Sequence, residues 1–562
     1  MMSAHAMPAQ PGVVYRGHSA RPWQYCRHFS PTFMLANLLI LSTLWASAYG
    51  ATQSYTLKLE NAVVAPDGIP RKGIVVNGKS PGPLITARRN DNLEILVINN
   101  LTDDSMPRST SIHWHGLFMQ HSAAQDGVAW VTQCPIGYGD SFKYRFNVGN
   151  QTGTHWYHSH VTTQYCDGLR GPLVIYDDND HHRHLYDVDD ESTVLTVNEW
   201  YHDNSIETFQ FGRPPNAMVL NGLGRMFFSR SPLTVIDAAR GSRYRFRVIN
   251  AGCTASFEFS VDGHPLTVIE IDGISVHAHP TDSIVLHAGQ RASVVLNANQ
   301  TVRNYWIRTR AAFEGTQLNY DDEVAILRYR GAKVLRPYTE KTVKKVLHSE
   351  EGLIPYGVPS EPAAEPDVKL DLNITTHEDS YLINGRSFES PSMPVLLQLL
   401  NGADPLATMP NNSIVYLPRN KLIEISIPGG ALLGPHPFHL HGHTFQVVRS
   451  INSTKYNYVN PPIRDVVDTG NTGDNVTIRF RTDNPGPWFF HCHVEFHLEG
   501  GLAILFVEEP DDIRKQEYSQ EWRDLCPRWK NIKTGKRYSK SAYPGRERTR
   551  FNFTPGSAPP DE

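Results

Sequence analysis

Four short histidine pairs hold the chemistry of this chain: His113-Trp114-His115, His158-Ser159-His160, His439-Leu440-His441 and His491-Cys492-His493. Side chains alternate between faces along a strand, so each pair presents both imidazoles on one side. Eight imidazoles converging at a domain interface are enough for three metal ions. In the last pair Cys492 points the other way, and with His436 and His497 it makes a His₂Cys set, the trigonal donor set of a blue copper site. A thiolate serving one metal is thereby joined through two residues of backbone to imidazoles serving others, a path for single electrons. Zinc accepts the same donors, but a redox-silent ion makes no use of that path.

Such pairs need strands to hold them. The apolar, aromatic run Pro487-Trp488-Phe489-Phe490 ahead of His491 reads as a buried strand closed off by a metal-binding turn. Helix-period runs are scarce and turn signals recur, which predicts an all-β chain. One unit is written three times: Asn77-Gly78, Asn221-Gly222 and Asn384-Gly385 each precede an alternating strand, at Leu93 to Ile98, Tyr244 to Ile249 and Leu422 to Ile427. This spacing predicts three β-sandwich domains, over 51–180, 181–349 and 350–529. Where the outer copies have His-x-His-Gly, the middle one has Ser260-Val261-Asp262-Gly263. Where they have the second pair, it has Arg308-Thr309-Arg310. The outer domains are therefore expected to bind metal and the middle one not. Ser159 stands where Cys492 stands, so only the third domain can hold a thiolate site. With 26 histidines in 562 residues, about one such pair arises by chance. His182-Arg183-His184 and His277-Ala278-His279 are read as that background, on the surface or in loops. His155, His264 and His443 are read as structural neighbours.

Bulk composition limits the partners. Lys and Arg number 53 and Asp and Glu 57, a net charge of −4, which argues against nucleic acid. Residues 1–50 place arginines ahead of an apolar stretch from Phe33 to Ala46 and then Ala46-Ser47-Ala48, the pattern of a secretory signal cleaved near Ala48 or Gly50. That stretch is short for a membrane span. Eight N-x-S/T sequons, from Asn100 to Asn552, suit a secreted glycoprotein. Cys134, Cys166, Cys253 and Cys526 form an even set fit for two disulfides in an oxidising compartment, with three pairings open. Residues 530–562 are a basic tail read as solvated and disordered.

These motifs resemble the multicopper oxidases, and among them the secreted laccases of wood- and litter-dwelling fungi. The signatures stand at Ser111 to Gly116, Gly153 to His160, His436 to His443 and His491 to Leu502, and the resemblance runs from about Tyr55 to Trp529. It implies three cupredoxin-like Greek-key domains and four copper ions. His436, Cys492 and His497 would hold the type 1 copper, and His113 and His439 the type 2 copper. His115, His158 and His493 would hold one type 3 copper, with His160, His441 and His491 on the other. It further implies the disulfides Cys134–Cys526 and Cys166–Cys253, and Leu502 at the axial position of the type 1 copper, where a leucine cannot ligate and the potential rises. The activity implied is one-electron oxidation of phenols and aromatic amines coupled to four-electron reduction of O₂ to water, in lignin breakdown, detoxification or pigment formation, by a secreted monomer. Electrons would enter at His497 and pass from Cys492 through His491 and His493; Asp126 and Glu495 would relay protons.

Two departures bear on substrate. Fungal laccases usually carry an acid where this chain has Asn216, and an amide cannot take a phenol proton. Weaker phenol turnover at acid pH is therefore expected. The apolar loop Gly429 to Pro435, with Leu432 and Leu433, would wall the substrate pocket and lacks the carboxylate that iron-oxidising relatives place there. Oxidation of a metal ion or another small reductant is the alternative activity. A copper-binding protein without oxidase activity is a third reading, disfavoured by the full ligand set.

Overall fold

The structure is a computed structural model that describes residues 50–531 except 227–228, 314–315, 318–321, 358–363, 378–379 and 432–433. The leader 1–49, most of the basic tail, and Leu432 and Leu433 therefore lie outside the described residues.

The three Asn-Gly pairs fold into the same turn. The asparagines have φ of 51°, 49° and 51°, and the glycines following them 74°, 80° and 78°. Two successive positive φ values define a turn that Asn-Gly forms with least strain. Each asparagine also stitches its turn to an earlier segment in the same way. Asn77, Asn221 and Asn384 accept through Oδ1 from the backbone N–H of Lys58, Thr196 and Asn373, at 2.7, 2.8 and 2.8 Å. The repeat read from the sequence is thus a repeat of hydrogen bonds.

Around these turns the chain builds three all-β sandwiches. The first packs a four-stranded sheet (Arg71–Val76, Thr52–Val64, Asn92–Asn100, Ser141–Asn147) on another (Ile85–Arg88, Arg170–Tyr176, Gly153–Ser159, Ile112–His115). The second is built from two larger sheets between Val194 and Leu347, and the third from two five-stranded sheets between Val368 and Glu508. Asn92–Asn100 shows the alternation of a strand with one buried face: Leu93, Ile95 and Val97 are inside. Gly153–Ser159 and Gly486–Cys492 are buried at every residue, the pattern of strands covered on both faces. Those two strands lead to the second His-x-His pair of each outer domain. Helices are short, none above seven residues among those described. None is long and apolar enough to cross a membrane.

Cross-strand register makes the three domains directly comparable. His113 pairs with His158, His439 with His491, and, in the middle domain, Ser260 with Arg308. These are the correspondences drawn from the sequence. In the middle domain the position of His115 and His441 is Asp262, and Arg308 donates to both its carboxylate oxygens at 2.8 and 2.9 Å. A buried ion pair fills the place where the outer domains gather imidazoles.

Cys134–Cys526 and Cys166–Cys253 are both formed. The first fastens the end of the chain to the first sandwich, whose core also takes in Val395, Leu396, Trp522 and Leu525.

Candidate metal centre

The eight paired histidines meet where the first and third sandwiches face each other. His113 lies against His441 and His115 against His439, each with ring centroids 3.9 Å apart. Potential ligand atoms fall into compact buried groups: His113, His115 and His439; His115, His158 and His493; His160, His441 and His491. Within each, the atoms lie no more than 4.8 Å from one another.

The outward nitrogens explain what the inward ones can do. His113 Nδ1 lies 2.8 Å from the Asp126 carbonyl, and His439 Nδ1 2.9 Å from that of Asp465. His158 Nδ1 is 2.9 Å from the Ser159 carbonyl and His491 Nδ1 2.9 Å from that of Cys492. A carbonyl oxygen only accepts, so each of these nitrogens carries the proton and Nε2 keeps its lone pair. His441 Nδ1 is held in the same way, 2.9 Å from Asp126 Oδ2. His441 Nε2 and His491 Nε2 then face each other at 3.1 Å, lone pair to lone pair. Buried Nε2 atoms on His113, His158, His160 and His439 find no protein partner. Unpaired buried acceptors are costly, and facing lone pairs repel; a cation between them removes both penalties. Outward hydrogen bonds of this kind are what orient metal-binding imidazoles.

Burial holds His158, His160, His439 and His441 well below the usual imidazole value, reinforced by neighbouring imidazoles, and takes His491 down to about 3. A proton is a poor occupant of this space.

The third domain supplies a separate group. His436 Nδ1 and His497 Nδ1 are 3.0 Å apart, and Cys492 Sγ lies 3.6 and 3.5 Å from them. This is a nearly even triangle of two nitrogens and one sulfur. Burial pushes the Cys492 thiol well above its usual value, so a metal cation is what would favour the thiolate. Leu502 is wholly buried in the same core as Cys492. Its carbonyl accepts from the Cys492 N–H at 3.1 Å and its N–H donates to the His497 carbonyl at 3.0 Å. The donor chemistry, soft sulfur with imidazole in one group and imidazole alone in the others, fits copper.

Asp126 is fully buried, with Oδ1 3.2 Å from His113 Nδ1 as well as Oδ2 on His441, so one carboxylate spans both domains. Glu495 is buried too. Its carboxyl is raised well above its usual value by burial and by Glu499, and its N–H donates to the Cys253 carbonyl at 2.8 Å. Asn216 lies half-buried before the Ala217–Leu220 strand, its Oδ1 accepting from the His202 N–H at 2.8 Å. His155, His264 and His443 bond elsewhere: His155 to the Thr152 carbonyl, His264 between the Asp262 carbonyl and Tyr329, and His443 beside Glu508. His277 is exposed on a strand; His182 is in a loop but buried.

Three parts of the site escaped the sequence reading. Asp465 receives both arms of Arg291, at 2.5 and 2.7 Å, and places Oδ1 3.4 Å from His115 Nε2. Asp272 extends the buried chain, accepting from Arg464 at 2.8 Å. Gly289, with φ +85°, lies so close that a Cβ there would stand 2.8 Å from His493 and 3.0 Å from His115. Each is a lone residue in a stretch without a chemical motif, and only the fold brings it to the histidines.

A three-sandwich chain with a sulfur-containing metal site beside a histidine cluster defines a class of copper oxidase, and the comparisons agree. Family models described as multicopper oxidase match residues 58–180, 191–332 and 388–512. Laccase-5 of Trametes versicolor is 47% identical over 509 residues, covering 87% of this chain and 97% of that protein. The laccase of Phlebia radiata is 46% identical over 513 residues, covering 88% and 98%. Among solved structures, the laccase from Botrytis aclada aligns with a TM-score of 0.77 at 32% identity, covering 88% of this chain and 94% of its own. Fet3p, a multicopper oxidase that functions in iron import, aligns with a TM-score of 0.74 at 27% identity, covering 85% and 95%. The chain belongs to the multicopper oxidases, and it is a copper-dependent oxidoreductase.

Proposed function

We propose that this multicopper oxidase is a laccase, oxidising phenols and aromatic amines one electron at a time and reducing O₂ to water. The observation that carries the reading is the juxtaposition of the Cys492 triangle with the histidine cluster along one strand. Four coppers fit the donor groups: His436, Cys492 and His497 for type 1; His113 and His439 for type 2; His115, His158 and His493, with His160, His441 and His491, for the type 3 pair. Bound there, copper supplies the one-electron steps and the site of O₂ reduction.

The chain's own residues do the rest. His497 presents the entry edge for electrons, with Asn216, Leu432 and Leu433 assigned to the donor pocket. Cys492 is covalently continuous with His491 and His493, and its carbonyl accepts from His491 Nδ1 at 2.9 Å, a second contact along the same path. Asp126 and Glu495 are assigned as proton relays, one against His441 and the other two residues beyond His493. The domain limits are taken as 51–180, 181–349 and 350–529, within a secreted, glycosylated monomer whose leader is residues 1–50.

The test is O₂ consumption by copper-loaded protein with 2,6-dimethoxyphenol, a non-phenolic dye and Fe(II) in parallel. Turnover of the aromatic donors with Fe(II) poor supports the reading. Preference for Fe(II) replaces it with a metal-ion oxidase.

A further inference from the structure

We propose that His202, backed by Asp67, accepts the proton of phenolic donors beside the position where Asn216 offers no carboxylate. The inference rests on the laccase reading above. Asp67 lies in the turn after the first strand and is wholly buried. One oxygen accepts from His202 Nε2 at 2.7 Å and the other from the Ile69 N–H at 3.1 Å. A carboxylate so placed accepts a hydrogen bond from Nε2–H and leaves the lone pair on Nδ1. No group among the described residues bonds that nitrogen, and the His202 side chain is 23% exposed. The pair has the form of a general base whose second nitrogen is oriented by a buried acid.

Its position matches that task. The His202 N–H donates to Asn216 Oδ1, so the imidazole and the amide share one corner of the second domain. Tyr201 and Phe209, on either side of His202, set their rings 6.1 and 5.5 Å from Phe496, the residue before His497. The segment thus flanks the helix Glu495–Glu499, which carries the electron-entry histidine. The flanking helix carries the carboxyls of Glu495 and Glu499, and the cations nearby are engaged with other partners. Arg213 pairs with Asp203, Arg71 binds the Tyr201 carbonyl and Asp167, and Arg225 donates to the Ser231 carbonyl. Glu207 lies further along the same segment, in the helix Ser205–Phe211.

In the step proposed, the phenolic O–H bond breaks as the donor is oxidised. The proton goes to His202 Nδ1, the electron leaves by His497, and a neutral phenoxyl radical remains. The imidazolium is stabilised by Asp67 and returns its proton to water at its exposed edge. A non-phenolic donor has no proton to give and does not use the pair.

His202→Gln keeps an N–H for Asp67 but has no basic nitrogen. The measurement is kcat/KM across pH for 2,6-dimethoxyphenol and for a non-phenolic dye, with copper-loaded wild type and variant. The expected result is a fall of at least ~10-fold in the phenol-to-dye ratio, with loss of the pH limb that distinguishes the phenol. An unchanged ratio, or both donors falling together, overturns the inference and makes the pair a clasp between domains. Should the variant not fold, the solvent deuterium isotope effect on wild type decides: confined to the phenol it supports the pair, and equal for both donors it overturns it. Wild type that oxidises neither donor overturns the laccase reading and this inference with it.

Discussion

Five imidazoles of the histidine cluster, His113, His158, His439, His441 and His491, are committed at the outer nitrogen, and that commitment fixes which inner nitrogen faces the metal space. Asp126 makes the tightest such link, because a single carboxylate lies against His113 of one domain and His441 of another. Asp126→Asn keeps the backbone carbonyl that holds His113 but replaces the carboxylate that holds the His441 N–H with a neutral amide. Copper affinity at the cluster is expected to fall about 10- to 100-fold, read by competition with a chelator, with the Cys492 site still filled. Asn216 tests the donor side. Its oxygen already accepts from the His202 N–H, and Asn216→Asp keeps that acceptor while adding a base that stays ionised in mild acid. Phenol kcat/KM below pH 5 is expected to rise about 10-fold with the dye little changed, as read from paired pH profiles. No gain would show that position 216 does not govern proton removal. The His-x-His pairs were legible because spacing alone puts two ligands on one strand face. Asp465, Arg291 and the Asp67–His202 pair were not. Their partners are separated by 174 and 135 residues, and no local pattern marks an isolated acid as the neighbour of a distant base.

At the level of elements, strands that carry ligands are clamped from the middle domain. Glu270 accepts from the Thr154 N–H at 2.7 Å, at the head of the strand that leads to His158 and His160, and from Ser293 at 2.8 Å. Burial raises its carboxyl, but Arg245 and Arg247 together outweigh that and hold it at about 2. A folded value below the ordinary value of 4.5 means that the unfolded chain binds the proton more tightly. The stabilisation is present above about pH 4.5, is lost as pH falls toward 2, and is on the order of 3 kcal/mol. Urea midpoints are expected to drop steeply across that range in wild type, and less steeply in Glu270→Gln, which starts lower because two arginines lose one counter-charge and keep only Asp180 and Asp189. Equal slopes would exclude Glu270 as a source of acid lability. The sequence foretold the three sandwiches, their Asn-Gly turns and which middle-domain segments, at Ser260 and at Arg308, stand where the outer domains carry histidines. It did not foretell the Asp262–Arg308 ion pair, since replacing histidines in a repeat shows what is lost and not what fills the space.

Across the whole molecule, the two metal-binding sandwiches are far apart in sequence and must be held face to face for the cluster to exist. Arg291 of the middle domain reaches Asp465 of the third, while Gly289 beside it lets the backbone come up against His115 and His493. The disulfides add covalent ties, Cys166 to Cys253 between the first two domains and Cys134 to Cys526 across 392 residues. Both pairings follow the resemblance to fungal laccases, which selected one of three that the cysteine count allowed. The laccase proposed above requires one chain to hold a sulfur-ligated copper apart from a histidine-bound cluster, the two joined through Cys492. The most direct test is metal content per chain, with donor-driven O₂ uptake, in wild type and Cys492→Ser. Four coppers falling to three, with O₂ uptake lost while the cluster remains filled, is the result predicted. Unchanged copper content and O₂ uptake in the variant would contradict it.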